Sequence, residues 1–298
     1  MKKLISIMLA VIMMMALVAC GDNNDNEVST NGGDVSHQEN VSSNEDFFIW
    51  HADTVINGLT EEGMAQKSLV IPEKCSEVAI LTSTVVESIS FENPDTAIGA
   101  YAFNGCTALK NIELPENMTF VQMGAFSGCT SMETVTIPEG VTEIGNGAFA
   151  DCTSLKQVSM GNNVVTLGRT AFNACTSLES IAIPESVVTI EKRAFDGCSA
   201  LKTVTFGSSV ESIGESAFEG CVSLMTIELP DSLKTIDAYA FGFCDALAEV
   251  YMPAGIENMD STALAQTHNF KLYLTEGSYV DQIYGELMGN EYMEKIYQ

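Results

Sequence analysis

The chain has 298 residues, of which 46% are apolar and 18% are charged, so it can bury a sizeable core and is not a disordered polymer. It contains 13 lysine and arginine residues against 40 aspartate and glutamate residues, a formal net charge of −27. Because this charge repels the phosphate backbone of nucleic acids, we expect no nucleic-acid partner. The three histidines, His37, His51 and His268, lie far apart in sequence, which argues against a histidine-based metal centre or nucleophile.

The chain begins with the features of a secretory signal. Two lysines precede a mostly apolar run over residues 4–18, which is shorter than the ~20 residues that a membrane-spanning helix needs. The sequence LVAC at residues 17–20 resembles the bacterial lipobox, in which small side chains precede a cysteine that is lipidated. We therefore expect a lipoprotein signal peptide over residues 1–19 and a lipid anchor on Cys20, which would hold the protein at the extracellular face of a bacterial membrane. A plain secretory signal with an incidental cysteine is the alternative.

Two further segments precede the main part of the chain. Residues 20–45 are rich in Asn, Ser, Asp and Gly and contain no aromatic residue, so we predict a flexible tether. Residues 46–75 contain Val55, Ile56 and an apolar run that ends at Pro72. We predict that this second segment forms an N-terminal cap.

A repeat of 23 residues dominates the rest of the sequence. Phenylalanine recurs at this interval through seven units without an insertion, and a cysteine follows each phenylalanine by three residues. The unit reads Leu-x-x-Val-x-Ile-Pro-x-x-Val-x-x-Ile-Gly-x-x-Ala-Phe-x-x-Cys-x-x. The two columns are Phe103, Phe126, Phe149, Phe172, Phe195, Phe218 and Phe241, and Cys106, Cys129, Cys152, Cys175, Cys198, Cys221 and Cys244.

The two halves of the unit have different periods. The Val-x-Ile step alternates as a half-buried strand does, and the proline after it ends the strand. The Ala-Phe-x-x-Cys step has the spacing of a short helical or 3-10 turn. Because one unit cannot enclose a core but stacked units can, we predict a repeat solenoid over residues 76–275, with short strands in a continuous parallel sheet. We predict a C-terminal cap helix within residues 276–298, where Val280, Ile283 and Leu287 fit one helical face.

The motif IPEGVTEIGNGAFADC at residues 137–152, with CTSL at residues 152–155, resembles the BspA-type leucine-rich repeat. The resemblance covers about residues 75–278. It implies a leucine-rich repeat solenoid in a bacterial cell-surface or secreted protein, and adhesion is a role of some members. Gly161 and Gly207, which replace the proline of the unit, depart from the pattern.

Three interpretations compete for the column of cysteines. A metal ion needs ligands within about 2.3 Å, whereas stacked units place equivalent atoms about 4.8 Å apart in a line. Disulfides suit an extracellular protein, but parallel side chains one strand apart hold their Cβ atoms too far from each other. The spacing therefore favours buried free thiols that act as small apolar side chains and weak donors. Cys75, which lies outside the column, is then the expected reactive thiol, and we expect no metal and no cofactor.

The outward-facing residues of the strands form the expected binding surface. No hydroxyl has a histidine partner by sequence, and no phosphate loop is present, so we expect no enzymatic activity. We expect the acidic and aromatic C-terminal end of this surface to bind a protein or glycan, with adhesion as a role. A structural spacer or assembly component of the cell envelope is the alternative. The candidate binding residues are Thr203, Thr205, Thr226, Glu228, Glu249 and Tyr251.

Overall fold

The computed structural model describes residues 44–287 and 293–298 of the chain. The predicted signal peptide, the lipidation site at Cys20 and most of the predicted tether lie outside these residues. Within the described part, the chain winds into stacked rungs. Each repeat rung contributes a first strand, a second strand and a turn segment that carries the Phe-x-x-Cys step.

The first strands contain the Val-x-Ile step and alternate as the sequence predicts. In Thr134–Thr136, Val135 is buried and the two threonines are exposed. The first strands are Ser68–Ile71, Ser88–Phe91, Asn111–Ile112, Thr134–Thr136, Gln157–Ser159, Ser180–Ala182, Thr203–Thr205, Thr226–Glu228, Glu249–Tyr251 and Phe270–Leu274.

Apart from Val55–Leu59, the second strands end at the isoleucine position of the Val-x-x-Ile step, as in Glu143–Ile144, where Ile144 is buried. Seven of them form one uninterrupted parallel sheet whose order follows the chain. The second strands are Val55–Leu59, Glu77–Val78, Ala97–Ile98, Phe120–Val121, Glu143–Ile144, Thr166–Leu167, Thr189–Ile190, Ser212–Ile213, Thr235–Ile236 and Asn258–Met259.

The predicted solenoid is confirmed, and its continuous parallel sheet is built by the second strands. The first strands, on which the prediction was based, divide into ladders of three, two, two and three strands, and the terminal strand Met293–Tyr297 extends the last of these ladders. Each two-stranded ladder joins a rung with proline after its strand to a rung with glycine there, Pro138 with Gly161 and Pro184 with Gly207. The two departures from the repeat therefore coincide with the paired rungs.

The same two glycines allow neighbouring backbones to approach closely. A Cβ atom on Gly161 would lie 2.6 Å from the Cα atom of Glu139, and one on Gly207 would lie 2.2 Å from the carbonyl oxygen of Pro184. Side chains do not tolerate such distances to backbone atoms, so no larger residue fits without a shift of the rung.

A stack of phenylalanine rings forms the centre of the core. The seven rings from Phe103 to Phe241 are fully buried, with neighbouring ring centroids 5.1 to 5.4 Å apart. Their planes are nearly parallel, within 9° of each other. The ring stack and the aliphatic columns beside it create the continuous interior that a single unit could not enclose.

The turn segment is not a regular helix, because its N–H groups alternate between two kinds of partner. The N–H of Cys152 donates to the Phe149 carbonyl within the rung, as in a 3-10 turn. The N–H groups of Phe149 and Asp151 donate instead to carbonyls of the next rung, at Ala171 and Asn173. This alternation bonds the turn segments to one another as a third connection between rungs.

The N-terminal end begins with a 3-10 turn, Asn44–Phe47, and an antiparallel hairpin of Phe48–His51 with Val55–Leu59. A short helix, Glu61–Met64, follows and is capped by the Thr60 side chain. Cys75 occupies the position that Val141 holds in a full unit and is completely buried. The expectation that Cys75 is a reactive thiol is therefore wrong, because the thiol is inaccessible.

The C-terminal cap contains less helix than predicted. A helix, Tyr279–Ile283, is capped by Ser278 and continues as a 3-10 turn, Tyr284–Glu286. The chain then ends in a strand, Met293–Tyr297, that pairs in parallel with Phe270–Leu274. This strand satisfies backbone groups that the last rung would otherwise leave exposed at its edge, which a longer helix could not do.

Candidate functional site

The structure brings the six candidate binding residues together on three adjacent first strands. Thr203, Thr205 and Glu228 are exposed, and Thr226, Glu249 and Tyr251 are half-buried. We call these six residues the strand strip. Their common orientation follows from alternation, because the residue between each pair, such as Val204, points into the core.

A shallow groove of about 280 Å³ runs through the first part of the strand strip. Thr203, Thr205, Thr226 and Glu228 line it with Phe206, whose ring packs edge-on against the core ring of Phe218 at a centroid distance of 5.8 Å. Hydroxyl groups, one carboxylate and one aromatic ring thus face the same small volume.

An aromatic pair lies at the other end of the strand strip. Tyr251 and Tyr273 stack with ring centroids 4.3 Å apart and planes 7° apart. Both hydroxyls donate to the Glu249 carboxylate, at 3.4 Å from Tyr251 and 3.2 Å from Tyr273. Desolvation and the negative charge of Glu249 raise the pKa of both tyrosines, so both remain hydroxyl donors at neutral pH.

Tyr273 is not among the residues predicted from the sequence, although a signal for it is present. It is the partner of Tyr251 in the next rung, and the apolar alternation of Phe270–Leu274 places it on the same outward face. The last unit has 22 residues instead of 23, so counting by the repeat length does not reach it.

A larger cleft of about 770 Å³ lies beside the tyrosine pair. Met225, Ala248 and Glu249 line one part of it, and Lys271 and Glu294 line the other. Register places Lys271 between the two glutamates on neighbouring strands. The cleft therefore combines apolar walls with a mainly acidic rim.

The described cysteines are free and buried, which confirms the free-thiol interpretation. Each thiol of the column donates to a backbone carbonyl of the preceding rung, as Cys152 does to the Phe126 oxygen at 3.2 Å. Burial raises the pKa of Cys152, Cys198 and Cys244 to about 12. These groups are therefore protonated, structural side chains and not nucleophiles.

The geometry of the residues that the structure describes also bears on metal sites and membrane-spanning helices. Its histidines, cysteines and carboxylates form no group of three that could hold a metal ion. Among the described helices, none is both long enough and apolar enough to cross a bilayer.

Three solved structures of bacterial leucine-rich repeat proteins are similar to this chain. A protein from Bacteroides ovatus ATCC 8483 is 19% identical, over 85% of this chain and 90% of its own, with a TM-score of 0.44. A leucine rich cell surface protein from Faecalibacterium prausnitzii A2-165 is 22% identical, over 84% and 92%, with a TM-score of 0.36. A leucine-rich repeat protein from T. pallidum is 23% identical, over 72% and 83%, with a TM-score of 0.42. No curated protein sequence gives a significant match.

The sequence profile of the BspA type leucine rich repeat region matches residues 77–187 and 165–285, in six copies. These residues make up more than half of the chain and contain most of the stacked rungs described above. Repeats of this kind are typically non-catalytic and generally mediate protein interactions. The chain belongs to the BspA-type leucine-rich repeat family.

Proposed function

We propose that the protein is a lipid-anchored scaffold on the bacterial cell surface, which binds a protein or glycan partner through the strand strip and performs no catalysis. Adhesion is the role that this arrangement serves. The observation that carries the proposal is the stacked pair of Tyr251 and Tyr273, held by Glu249 at the end of a polar, outward-facing strip. Aromatic side chains that are already ordered lose little entropy on binding and are frequent contact residues.

The binding proposal is tested by capture from host and envelope extracts on the immobilised full-length protein. We expect the double variant Tyr251→Ala/Tyr273→Ala to lose the captured component, because both stacking faces and both hydroxyls disappear. Tyr239→Ala is the matched control, since Tyr239 is a half-exposed tyrosine on the turn segment. Residue 239 has a φ of 55°, and the energetic cost of this conformation is the same for alanine as for tyrosine, so the control does not change the backbone energy. Equal capture by all three proteins would contradict the proposal.

The anchor proposal rests on the LVAC motif that ends at Cys20. We expect mass spectrometry of the mature N-terminus to show a diacylglyceryl group on Cys20, and the Cys20→Ala variant to leave the membrane fraction. Two acyl chains hold a protein stably on a bilayer, whereas one chain gives reversible binding. An unmodified Cys20 in the mature protein would remove the anchor from the proposal.

A structural spacer in the envelope is the second candidate. It is favoured by the composition of the strand strip, because threonine suits exposed strand positions without any partner. A spacer predicts that the tyrosine variant has no effect on capture, while a change in the number of rungs alters the assembly. The same capture experiment therefore separates the two candidates.

A further inference from the structure

A column of alternating charges crosses the rungs immediately before the first strands. Glu87 binds both Lys67 and Lys110, at 2.9 and 2.6 Å, and the pairs of Lys156 with Glu133 and of Lys202 with Glu179 each close at 2.8 Å. We call this column the charge ladder. Its members are Lys67, Glu87, Lys110, Glu133, Lys156, Glu179 and Lys202.

The charge ladder stops after Lys202. The next two rungs place Met225 and Ala248 in the column, in the same backbone geometry, since the N–H of Ala248 donates to Met225 as that of Lys156 does to Glu133. The side chain of Ala248 is therefore only a methyl group, at a position where the earlier rungs of the charge ladder have a lysine or a glutamate. The 770 Å³ cleft opens at this place, and we call it the ladder gap.

Two further substitutions in these rungs are apolar as well. Val222 holds a position that is threonine or serine in the five preceding units, and Phe243 holds one that is glycine, aspartate or alanine in the six preceding units. Val222, Met225 and Phe243 are 39%, 50% and 43% exposed. Phe243 also has a φ of 57°, a conformation that a bulky residue adopts at a cost in energy. Exposed apolar residues therefore accumulate in two rungs against the pattern of the repeat itself.

The charge around the ladder gap is mainly negative. Residues 203–298 contain fifteen acidic residues and three lysines, Lys234, Lys271 and Lys295. At the gap itself, Glu249 and Glu294 flank the single Lys271. A surface that combines exposed apolar side chains with an acidic rim is complementary to a ligand with apolar groups and a positive charge.

We propose that the ladder gap docks a protein segment that presents a lysine or arginine beside apolar side chains. The apolar groups of the partner cover Met225 and Ala246, which line the gap, and its cation enters the space above Ala248, towards Glu249 and Glu294. This inference rests on the proposed function and makes it more specific, because it selects a basic protein segment over a glycan as the partner.

The test uses the full-length protein and a displayed library of random peptides as the probe. We expect selection to enrich peptides with Lys or Arg next to Leu, Phe or Met. A selected peptide should bind the Ala248→Lys variant at least about tenfold more weakly, because the new side chain fills the gap and continues the charge ladder. Ala182→Lys, which adds the same side chain at an exposed position outside the ladder gap, is the matched control and should bind as the unmodified protein does. Binding should weaken as salt increases.

Three outcomes would overturn the inference: no enriched peptide, enriched peptides without a cation, or equal binding to the Ala248→Lys variant. Both variants change an exposed residue, and circular dichroism checks that they fold.

The inference and the proposed function can be contradicted independently of each other. Capture of a glycan that depends on the tyrosine pair, without peptide binding, contradicts the inference alone, whereas peptide binding at the gap with capture unaffected by Tyr251→Ala/Tyr273→Ala contradicts the strand strip alone.

Discussion

Hydrogen bonding by the cysteine thiols explains why one residue type recurs so strictly. Each Sγ atom lies 3.1 to 3.4 Å from a carbonyl oxygen of the preceding rung and fills a small volume beside the phenylalanine stack. In the final rung Thr267 replaces cysteine, and its hydroxyl donates to the Phe241 carbonyl at 3.0 Å. The role of this position is therefore to donate a hydrogen bond inside the core, and sulfur chemistry is not required for it.

This role leads to a prediction about thiol reactivity. In the Cys20→Ala variant, we expect a thiol reagent at about pH 8 to leave the eight described cysteines unmodified in the native state, because burial keeps them protonated and inaccessible. All eight should react after unfolding in denaturant. A spectroscopic thiol assay measures both counts, and fast modification of any one cysteine in the native protein would show that a rung opens.

Left-handed backbone conformations form two columns in the turn segments. One column contains Gly197 at a φ of 74° and Ala174 at 56° in equivalent positions of neighbouring units. An L residue pays about 1–2 kcal/mol for this conformation, and glycine does not. The sequence shows the glycines of this column but not the φ of the residues that replace them.

These two residues make a matched pair for mutation. We expect Ala174→Gly to raise the free energy of unfolding by about 0.5–1 kcal/mol, since it removes the strain. Gly197→Ala should lower it by about 1 kcal/mol, because a Cβ atom there meets only ordinary contacts, the nearest at 3.8 Å, and the cost is conformational. Urea denaturation measures both changes, and shifts of the same sign would contradict the explanation.

At the scale of elements, the charge ladder ties consecutive rungs together on the surface. Hydrogen bonds and charge from Lys110 and Lys67 lower the pKa of Glu87 from 4.5 to about 2. A lowered folded-state pKa stabilises the protein above the ordinary pKa of the group, and this contribution is lost as the pH falls towards the folded-state value.

We therefore expect the stabilising effect of Glu87 to be present at neutral pH and to disappear between about pH 4.5 and pH 2. The measurement compares urea midpoints of the unmodified protein and Glu87→Gln at several pH values, so that the effects of the other carboxylates cancel. Glu143→Gln, on an exposed position of a second strand, is the control. A difference between Glu87→Gln and the unmodified protein that persists unchanged at about pH 2 would contradict the assignment.

The elements were predictable from the sequence to the extent that their pattern is local. The alternation around Val135 predicts the first strands, and the 23-residue spacing predicts parallel stacking. Two of the separate ladders of first strands coincide with close contacts such as that of Gly207 with Pro184, which lie between rungs and which no local pattern reveals. The terminal strand Met293–Tyr297 was missed for a similar reason, because its partner is the open edge of the last rung.

The candidate site was predictable to a similar extent. Alternation alone places Glu249 and Tyr251 on the outward face, and it does so correctly. The stacking of Tyr273 on Tyr251 and the cleft beside Ala248 arise between rungs, where the 22-residue last unit shifts the register. Met225 and Ala248 differ from the residues at the same position in the other units, although the consensus of the repeat leaves this position open.

At the scale of the whole molecule, the net charge of −27 opposes the compact state. Exposed ion pairs such as those of the charge ladder recover little of this cost. We expect the thermal midpoint to rise when NaCl is increased from about 10 mM to about 150 mM, because the Debye length falls from about 30 Å to about 8 Å and screens the repulsion. Differential scanning calorimetry measures the shift, and a falling midpoint would mean that the ion pairs outweigh the repulsion.

Because the phenylalanine rings are evenly spaced, the solenoid can become longer or shorter by whole repeat units. Because seven successive units keep the same register, gain or loss of two neighbouring units within the array preserves the ring stack and both terminal structures. A change of one unit would instead place two like charges of the charge ladder next to each other. Each such event moves the N-terminal hairpin and the tyrosine pair about 10 Å apart or together, twice the 5.3 Å separation of neighbouring rings. Recombination between similar coding repeats can therefore tune the reach of the molecule in fixed steps while its contact surface stays the same.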